Sequence, residues 1–243
     1  MSGKAKRLKP AVLTVGNELI YGERENTNGM WMLQRLYSAG MPAEIWISLP
    51  DDENAIGEWI RLLKERDAFP IFVSGGIGGT HDDRTRQGIA LGLDRALVCH
   101  EECYQILEKR YGKHFSGQRK RMAWLPEGCD LIPNDIGAPG FFLEGIYAFP
   151  GFPEMLKPMF EWVMERFFPA QGDVEVFEWT VPVSEGTVGP VVERFSVEHP
   201  EVSVGIYPHL SPDGQQVTVR LRCSGKDSHV ADELGRILKE FEK

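Results

Sequence analysis

Residues 72–85 read FVSGGIGGTHDDRT, with Gly75, Gly76, Gly78 and Gly79 packed between an apolar run and the polar set Thr80, His81, Asp82 and Asp83. Glycine weakens regular structure, so this density points to a sharp turn or to backbone that something approaches closely. Successive glycines after a strand let amide N–H groups converge on an anion. A helix starting near Asp83 would aim its positive end at the same place. The chemistry suggested is phosphate binding, with a purely structural turn as the alternative. The loop lacks the Gly-Lys-Ser/Thr ending of a nucleotide P-loop, and its glycines do not follow a strict Gly-x-Gly-x-x-Gly pattern.

Two aspartates beside a phosphate cradle repel the ligand unless a cation intervenes, which makes Asp82 and Asp83 candidate ligands for a divalent metal such as magnesium. The competing reading is helix capping, because Thr80 and Asp83 have capping-box spacing. His81 can position a phosphate or act as an acid near neutral pH, or it can be an idle loop side chain.

Other segments carry similar chemistry. GNELIYGERENTN (16–28) brings Asn17, Glu18, Asn26, Thr27 and Asn28 to a loop and a helix start, where turn and cap formation is the alternative role. FPGFPEM (149–155) places Gly151 between prolines, a rigid loop that loses little entropy when held against a ligand.

The elements that must position these residues follow from hydrophobic periodicity. AVLTVG (11–16) reads as a buried strand and NTNGMWMLQRLYSAG (26–40) as a helix. AEIWISL (43–49), DDENAIGEWIRLLKERD (51–67) and FPIFVSGG (69–76) continue as strand, helix and strand. RTRQGIALGL and EECYQILEKRYGKHF have helical spacing, and LPEGCDLIPNDIGAPGF is rich in turn residues. IYAFP (146–150) is a strand, and PEMLKPMFEWVMERFF is a helix with Pro153 in its first turn.

Such alternation implies a three-layer α/β/α sandwich with a mostly parallel sheet, in which ligands bind beyond the carboxyl ends of the strands. Gly16, Asn17 and Glu18, Ser74 and the glycine loop, and Gly151 all start where a strand ends. The pattern changes after PAQGD (169–173), the linker candidate. Residues 1–168 are thus expected to form one domain and 174–243 a small α+β domain of βαββα order with antiparallel strands.

The 243 residues are 42% hydrophobic with a net charge of −9, which suits a globular chain and argues against a nucleic-acid or anionic-membrane surface. GQRKRMAW (117–124) is a local basic patch able to meet a phosphate. The expected partner is a small molecule. No apolar run reaches the length of a membrane span, and MSGKAKRLKP lacks the apolar stretch of a signal peptide, so the expected location is cytoplasmic. Cys99, Cys103, Cys129 and Cys223 are too scattered for a disulfide framework. In CHEEC (99–103) a helix would stack two thiols beside His100, a metal pair or a plain helix surface.

Taken in order, TVGNELIYGERENTN, SGGIGGTHDDRT, LPEGCDLIPNDIGAPGF and FPGFPEM resemble the molybdopterin-binding domain of MoaB/Mog proteins, most closely the CinA N-terminal branch. The resemblance covers residues 10–168, and the tail resembles the small domain that follows in that branch. It implies phosphate contacts at Gly75, Gly76, Gly78 and Thr80, and Asp83 as functional acid. Glu18, Asn28, Gly151, Pro153 and Glu154 would line the pocket. The sequence departs at Gly79, where the branch usually has proline, and at His81, where it usually has an acid. No stretch resembles the CinA deamidase domain, so nicotinamide mononucleotide deamidation is not implied.

Two activities are implied: adenylylation of molybdopterin, and cleavage of dinucleotide pyrophosphates such as ADP-ribose or FAD with magnesium, cobalt or manganese. Cleavage is the expectation, with Asp83, Asp82 and Glu18 as catalytic groups. Gly16, Asn17, Ser74 and Gly79 join the expected ligand contacts. A non-enzymatic binding or oligomerisation module is the remaining alternative. The resemblance also implies a homo-oligomer, a dimer or trimer.

Overall fold

The computed structural model describes residues 8–169, 174–211 and 214–242. The start of MSGKAKRLKP and residues 170–173 of the linker candidate lie outside the described residues. The chain divides into two compact units, residues 1–37 with 41–169 and residues 38–40 with 170–243.

The first unit opens with β1 (Ala11–Val15), a short turn α1 (Asn17–Ile20), α2 (Thr27–Ser38), β2 (Ile45–Leu49), α3 (Glu53–Glu65) and β3 (Ile71–Ser74). It continues with α4 (Thr85–Gly92), β4 (Leu97–Cys99), α5 (Glu101–Tyr111), α6 (Gly117–Arg121), β5 (Trp124–Pro126), β6 (Asp130–Ile132), β7 (Gly140–Leu143), β8 (Ile146–Phe149) and α7 (Pro153–Phe167). Six strands form one sheet in the order β2-β1-β3-β8-β7-β6. The first four run parallel, and β7 and β6 extend the sheet antiparallel.

Strands β1, β3 and β8 are buried along their whole length, as a parallel sheet covered on both faces requires. Side chains alternate between the faces. Leu13, Val73 and Ala148 belong to a core shared with Ile56, Ile60 and Leu63 of α3. On the other face the Phe72 ring packs 4.8 Å from the Phe160 ring of α7. The expected three layers are present.

Three local expectations are corrected. The turn-rich stretch 125–141 contains β6 and the start of β7, because pairing to the sheet overrides its turn residues. CHEEC is not one helix: β4 ends at Cys99, and His100 caps α5 by accepting from the Cys103 amide through Nδ1 at 3.3 Å. Helix α4 begins at Thr85, two residues beyond the expected start, because Asp83 bonds to the loop before it.

The second unit contains β9 (Val174–Val181), α8 (Glu185–Glu198), β10 (Ser203–Ser211), β11 (Gly214–Ser224) and α9 (His229–Leu238). Its antiparallel sheet has the order β10-β11-β9. Val217, Val219 and Leu221 bury one face of it with Val192 and Phe195 of α8 and Leu234 of α9.

One backbone approach fixes how the chain leaves β3. Gly75 has φ +99°, and a Cβ there would lie 2.2 Å from the Val15 carbonyl oxygen. Gly75→Ala is therefore expected to destabilise the first unit by about 2 kcal/mol or more, read by urea denaturation. Gly112 also has positive φ, +49°, but nothing lies within 4 Å of its Cβ position. Gly112→Ala is expected to cost only about 1 kcal/mol. Equal losses in the two variants would mean that the dihedral, and not the Val15 contact, sets the cost.

Candidate functional site

Because β1, β3 and β8 are parallel neighbours, their carboxyl ends open side by side. A cleft of about 150 Å³ lies there, lined by Thr14, Val15, Glu18, Leu19, Arg24, Glu25, Asn26, Thr27, Asn28, Ser74, Gly75, Gly151 and Pro153. Asn28 ties the tips together: its Nδ2 donates to the Gly151 carbonyl at 2.7 Å and to Ser74 Oγ at 3.3 Å. Asn26 fixes the start of α2. Its Oδ1 accepts from the Gly29 amide at 3.0 Å, and its Nδ2 donates to Thr14 Oγ1 at 2.6 Å and Ser48 Oγ at 2.9 Å. The positive end of α2, with no acidic residue in its first turn, therefore faces the cleft beside the exposed Arg24.

The glycine loop is organised differently from expectation. Gly78 N–H donates to Asp83 Oδ1 at 2.9 Å, and Thr80 N–H donates to Oδ2 at 2.7 Å. The Thr80 hydroxyl also donates to Oδ2. Gly78 O accepts from Arg86 at 2.6 Å. An amide whose one hydrogen is held by a carboxylate has none for a phosphate while that bond stands, and at Gly78 and Thr80 the bond is internal to the loop. Gly79 turns away from the cleft against α6, where a Cβ would meet Gln118 O at 2.0 Å. Ser74 and Gly75 line the cleft, and Gly76 beside them passes Thr85 so closely that a Cβ would lie 2.4 Å from its hydroxyl.

Of the other expected residues, Glu18, Asn28, Gly151 and Pro153 line the cleft, whereas Gly16, Asn17, Asp82, Asp83 and Glu154 stand outside its lining. Gly16 has a supporting place, because its Cβ would occupy the position of the Glu18 carboxylate, 2.6 Å away. Glu154 is exposed in the first turn of α7.

Two functional candidates escaped the sequence reading. Arg24 lies within GNELIYGERENTN (16–28), but nothing in its spacing marks it. Asp51 follows a fourth strand tip, that of β2, and was read only as the acidic start of α3. It exchanges bonds with Asn17: Asn17 N–H donates to Asp51 Oδ2 at 2.9 Å, and Asp51 N–H to Asn17 Oδ1 at 3.3 Å. Burial, opposed by the Asn17 amide and reinforced by Glu18, Asp82 and Asp83, raises the Asp51 carboxyl above its ordinary range. Three further carboxylates are thus close enough to act on Asp51.

Among the described residues no three His, Cys, Asp or Glu side chains converge to cage a metal ion. Magnesium commonly takes only one or two protein carboxylates and completes its shell with water and substrate phosphates. Such a shell would draw on Glu18 in the cleft wall and on the exposed Asp82. Asp83, with both oxygens bonded to the loop, fits it less well. The CHEEC thiols fit no metal pair, since Cys99 is exposed while Cys103 is buried, its thiol pushed up to about 12 by burial.

Residues 11–170 match the family described as "Probable molybdopterin binding domain". A protein of Archaeoglobus fulgidus is 33% identical over 233 residues, 96% of this chain and 96% of that one. A CinA-like protein of Solibacter usitatus is 31% identical over 93% of this chain, which spans 57% of that relative. The crystal structure of CinA from Thermoplasma acidophilum, described as of unknown function, is 30% identical. It superposes with a TM-score of 0.61 over 65% of this chain and 97% of that one. No helix among the described residues is long and apolar enough to cross a membrane.

Two outcomes test the site's geometry. Asp83→Ala removes the acceptor of two amides and a hydroxyl, so it is expected to cost about 1–3 kcal/mol and to speed hydrogen exchange at the Gly78 and Thr80 amides. Wild-type exchange rates in the variant would refute the clamp. Asp51 titrates above its ordinary value when folded, so its ionised form is the disfavoured one. The penalty is absent below the ordinary carboxylate range and complete at neutral pH. Asp51→Asn should therefore raise the melting temperature at neutral pH and lose that advantage in acid. A neutral-pH melting temperature below wild type would refute this.

Proposed function

The chain belongs to the molybdopterin-binding domain family and is CinA-like, and on that premise we propose that its cleft binds a phosphate-bearing nucleotide or pterin and cleaves a dinucleotide pyrophosphate of the ADP-ribose or FAD type. The observation that carries the reading is the meeting, at adjoining strand tips, of Arg24, the start of α2 and Ser74 with the carboxylate of Glu18. Arg24 neutralises phosphate charge through a charge-assisted contact stronger than a neutral hydrogen bond, and the positive end of the α2 dipole adds to its field. Ser74 and Asn28 orient the phosphate between β3 and β8. Gly75 keeps the floor low enough for the ligand to approach backbone.

The negative side of the site has a separate task. Glu18 and Asp82 would hold a divalent ion such as magnesium, cobalt or manganese, which when bound polarises the P–O bond. Asp83 acts through the loop, keeping Ser74 and Gly75 in place from behind. Hydrolysis adds water across the P–O–P linkage and releases two phosphate monoesters. The family's description names molybdopterin, so a pterin phosphate held by the same groups is the second reading.

The test is turnover of ADP-ribose or FAD with each metal, read by chromatography of the released monophosphates, beside thermal shifts with the same ligands and with a molybdopterin precursor. Arg24→Ala is expected to raise KM about tenfold or more. Glu18→Gln is expected to lower kcat about a hundredfold with the melting temperature unchanged. Stabilisation by the pterin precursor alone would favour the second reading. No turnover and no shift with any ligand would overturn both.

A further inference from the structure

On the far side of the glycine loop lies a second groove, of about 380 Å³, lined by Thr80, His81, Arg84, Arg86, Gln87, Leu97, Arg121 and Trp124. Three arginines and a histidine face it, and no carboxylate is among its lining residues, in a chain whose net charge is −9. The acids nearby sit at its margin: Glu53 lies 3.4 Å from Arg84, and Asp82 lies 4.0 Å from His81.

The walls are built. Arg86 is only 2% exposed and donates to the carbonyls of Gly78, Arg121 and Trp124, so one guanidinium joins the loop to α6 and β5. Its Nε is buried without an acceptor, and so is Gln87 Oε1 without a donor. Burial, and less strongly the like charge of Arg121, act to lower the Arg86 pKa, while the nearby Asp83 opposes them. A buried cation beside a second cation is a costly arrangement that an anion in the groove would relieve.

The basic run 119–121 divides its labour in the same sense. Arg119 lies over the Tyr111 ring and donates to His114 O at 2.8 Å, and Lys120 lies over the Tyr104 and Phe115 rings. Arg121 instead lines the groove. Trp124 stands beside it, 47% exposed, a flat ring at the end of a cationic surface. Helix α4 begins here with no acid in its first turn, so its dipole adds to the positive field.

We propose that this groove is a separate binding site for a phosphate monoester joined to an aromatic ring, a nucleoside monophosphate by chemical class. The phosphate lies against Arg84, Arg121 and the start of α4, and the base stacks on Trp124, a contact open to any base because every base has a π-face. The groove volume lies within the range of small-molecule sites. Arg86 is a positioning residue that holds the two walls in register. The site does not depend on the reading given to the cleft at the strand tips.

The experiment is calorimetric titration of the full chain with AMP, and separately with inorganic phosphate. Arg86 bonds the carbonyls of Arg121 and Trp124, not their side chains, so truncating either side chain leaves the walls joined. Arg121→Ala is expected to weaken AMP and phosphate alike, by roughly tenfold. Trp124→Ala is expected to weaken AMP by roughly fivefold or more while leaving phosphate unchanged. Arg24→Ala, in the strand-tip cleft, should leave AMP binding at this groove intact. Absence of AMP binding at millimolar concentration overturns the proposal, as does binding that Arg24→Ala abolishes and that Arg121→Ala and Trp124→Ala spare. Neither result bears on pyrophosphate turnover, so failure here and failure of the proposed function are distinguishable.

Discussion

Gly78 is gripped from both sides. Its N–H is held by the Asp83 carboxylate and its carbonyl by the Arg86 guanidinium. A glycine loop left to itself has more conformational freedom to lose than any other chain segment. Here two charged side chains, one just before α4 and one in its first turn, hold a single residue's backbone polar groups and so tie the loop to a rigid helix. The same Arg86 reaches on to the carbonyls of Arg121 and Trp124, so the loop, α6 and β5 share one cation. Removing Asp83 would take the acceptor from the Gly78 and Thr80 amides, and removing Arg86 would take the donor from three carbonyls, which is why these two side chains set the form of the whole region.

That arrangement separates two fields of opposite sign. Burial, with the nearby Glu18, Asp82 and Asp83 adding to it, disfavours ionisation of Asp51 on the side of the loop toward β1 and β2. Arg84, Arg86 and Arg121 face the groove on the other side. Between them the start of α2 and Arg24 supply positive charge to the strand-tip cleft. On the proposed reading, a phosphate in the cleft would meet these cations with acids close by, as a metal-bridged phosphate chemistry needs. The loop's rigidity matters because such fields act only if the groups do not reorganise when charge arrives.

The second unit is simpler. The alternation of VTVRLRC places Val217, Val219, Leu221 and Cys223 on one face, and the amphipathic helices α8 and α9 cover it. Strands β10 and β11 pair through a short connection, whereas β9 joins the far edge of β11 across the intervening α8 and β10.

What the amino-acid order determined by itself is what periodicity and local chemistry encode: the strand and helix alternation, the burial of β1, β3 and β8, and the positions of the strand tips where Glu18, Asn28, Ser74, Gly75 and Gly151 meet. It did not reveal β6, a three-residue strand set among turn formers that exists only through its pairing with the neighbouring β7 at the edge of the sheet. Nor did it mark Arg24 or Asp51, since a charged side chain has no period and gains a role only from what the fold sets opposite it. The glycine loop shows the division most clearly. Its composition announced that amides would converge, and only the tertiary structure decided on what. An N–H has one hydrogen, and at Gly78 and Thr80 the acceptor that the fold sets within reach is Asp83.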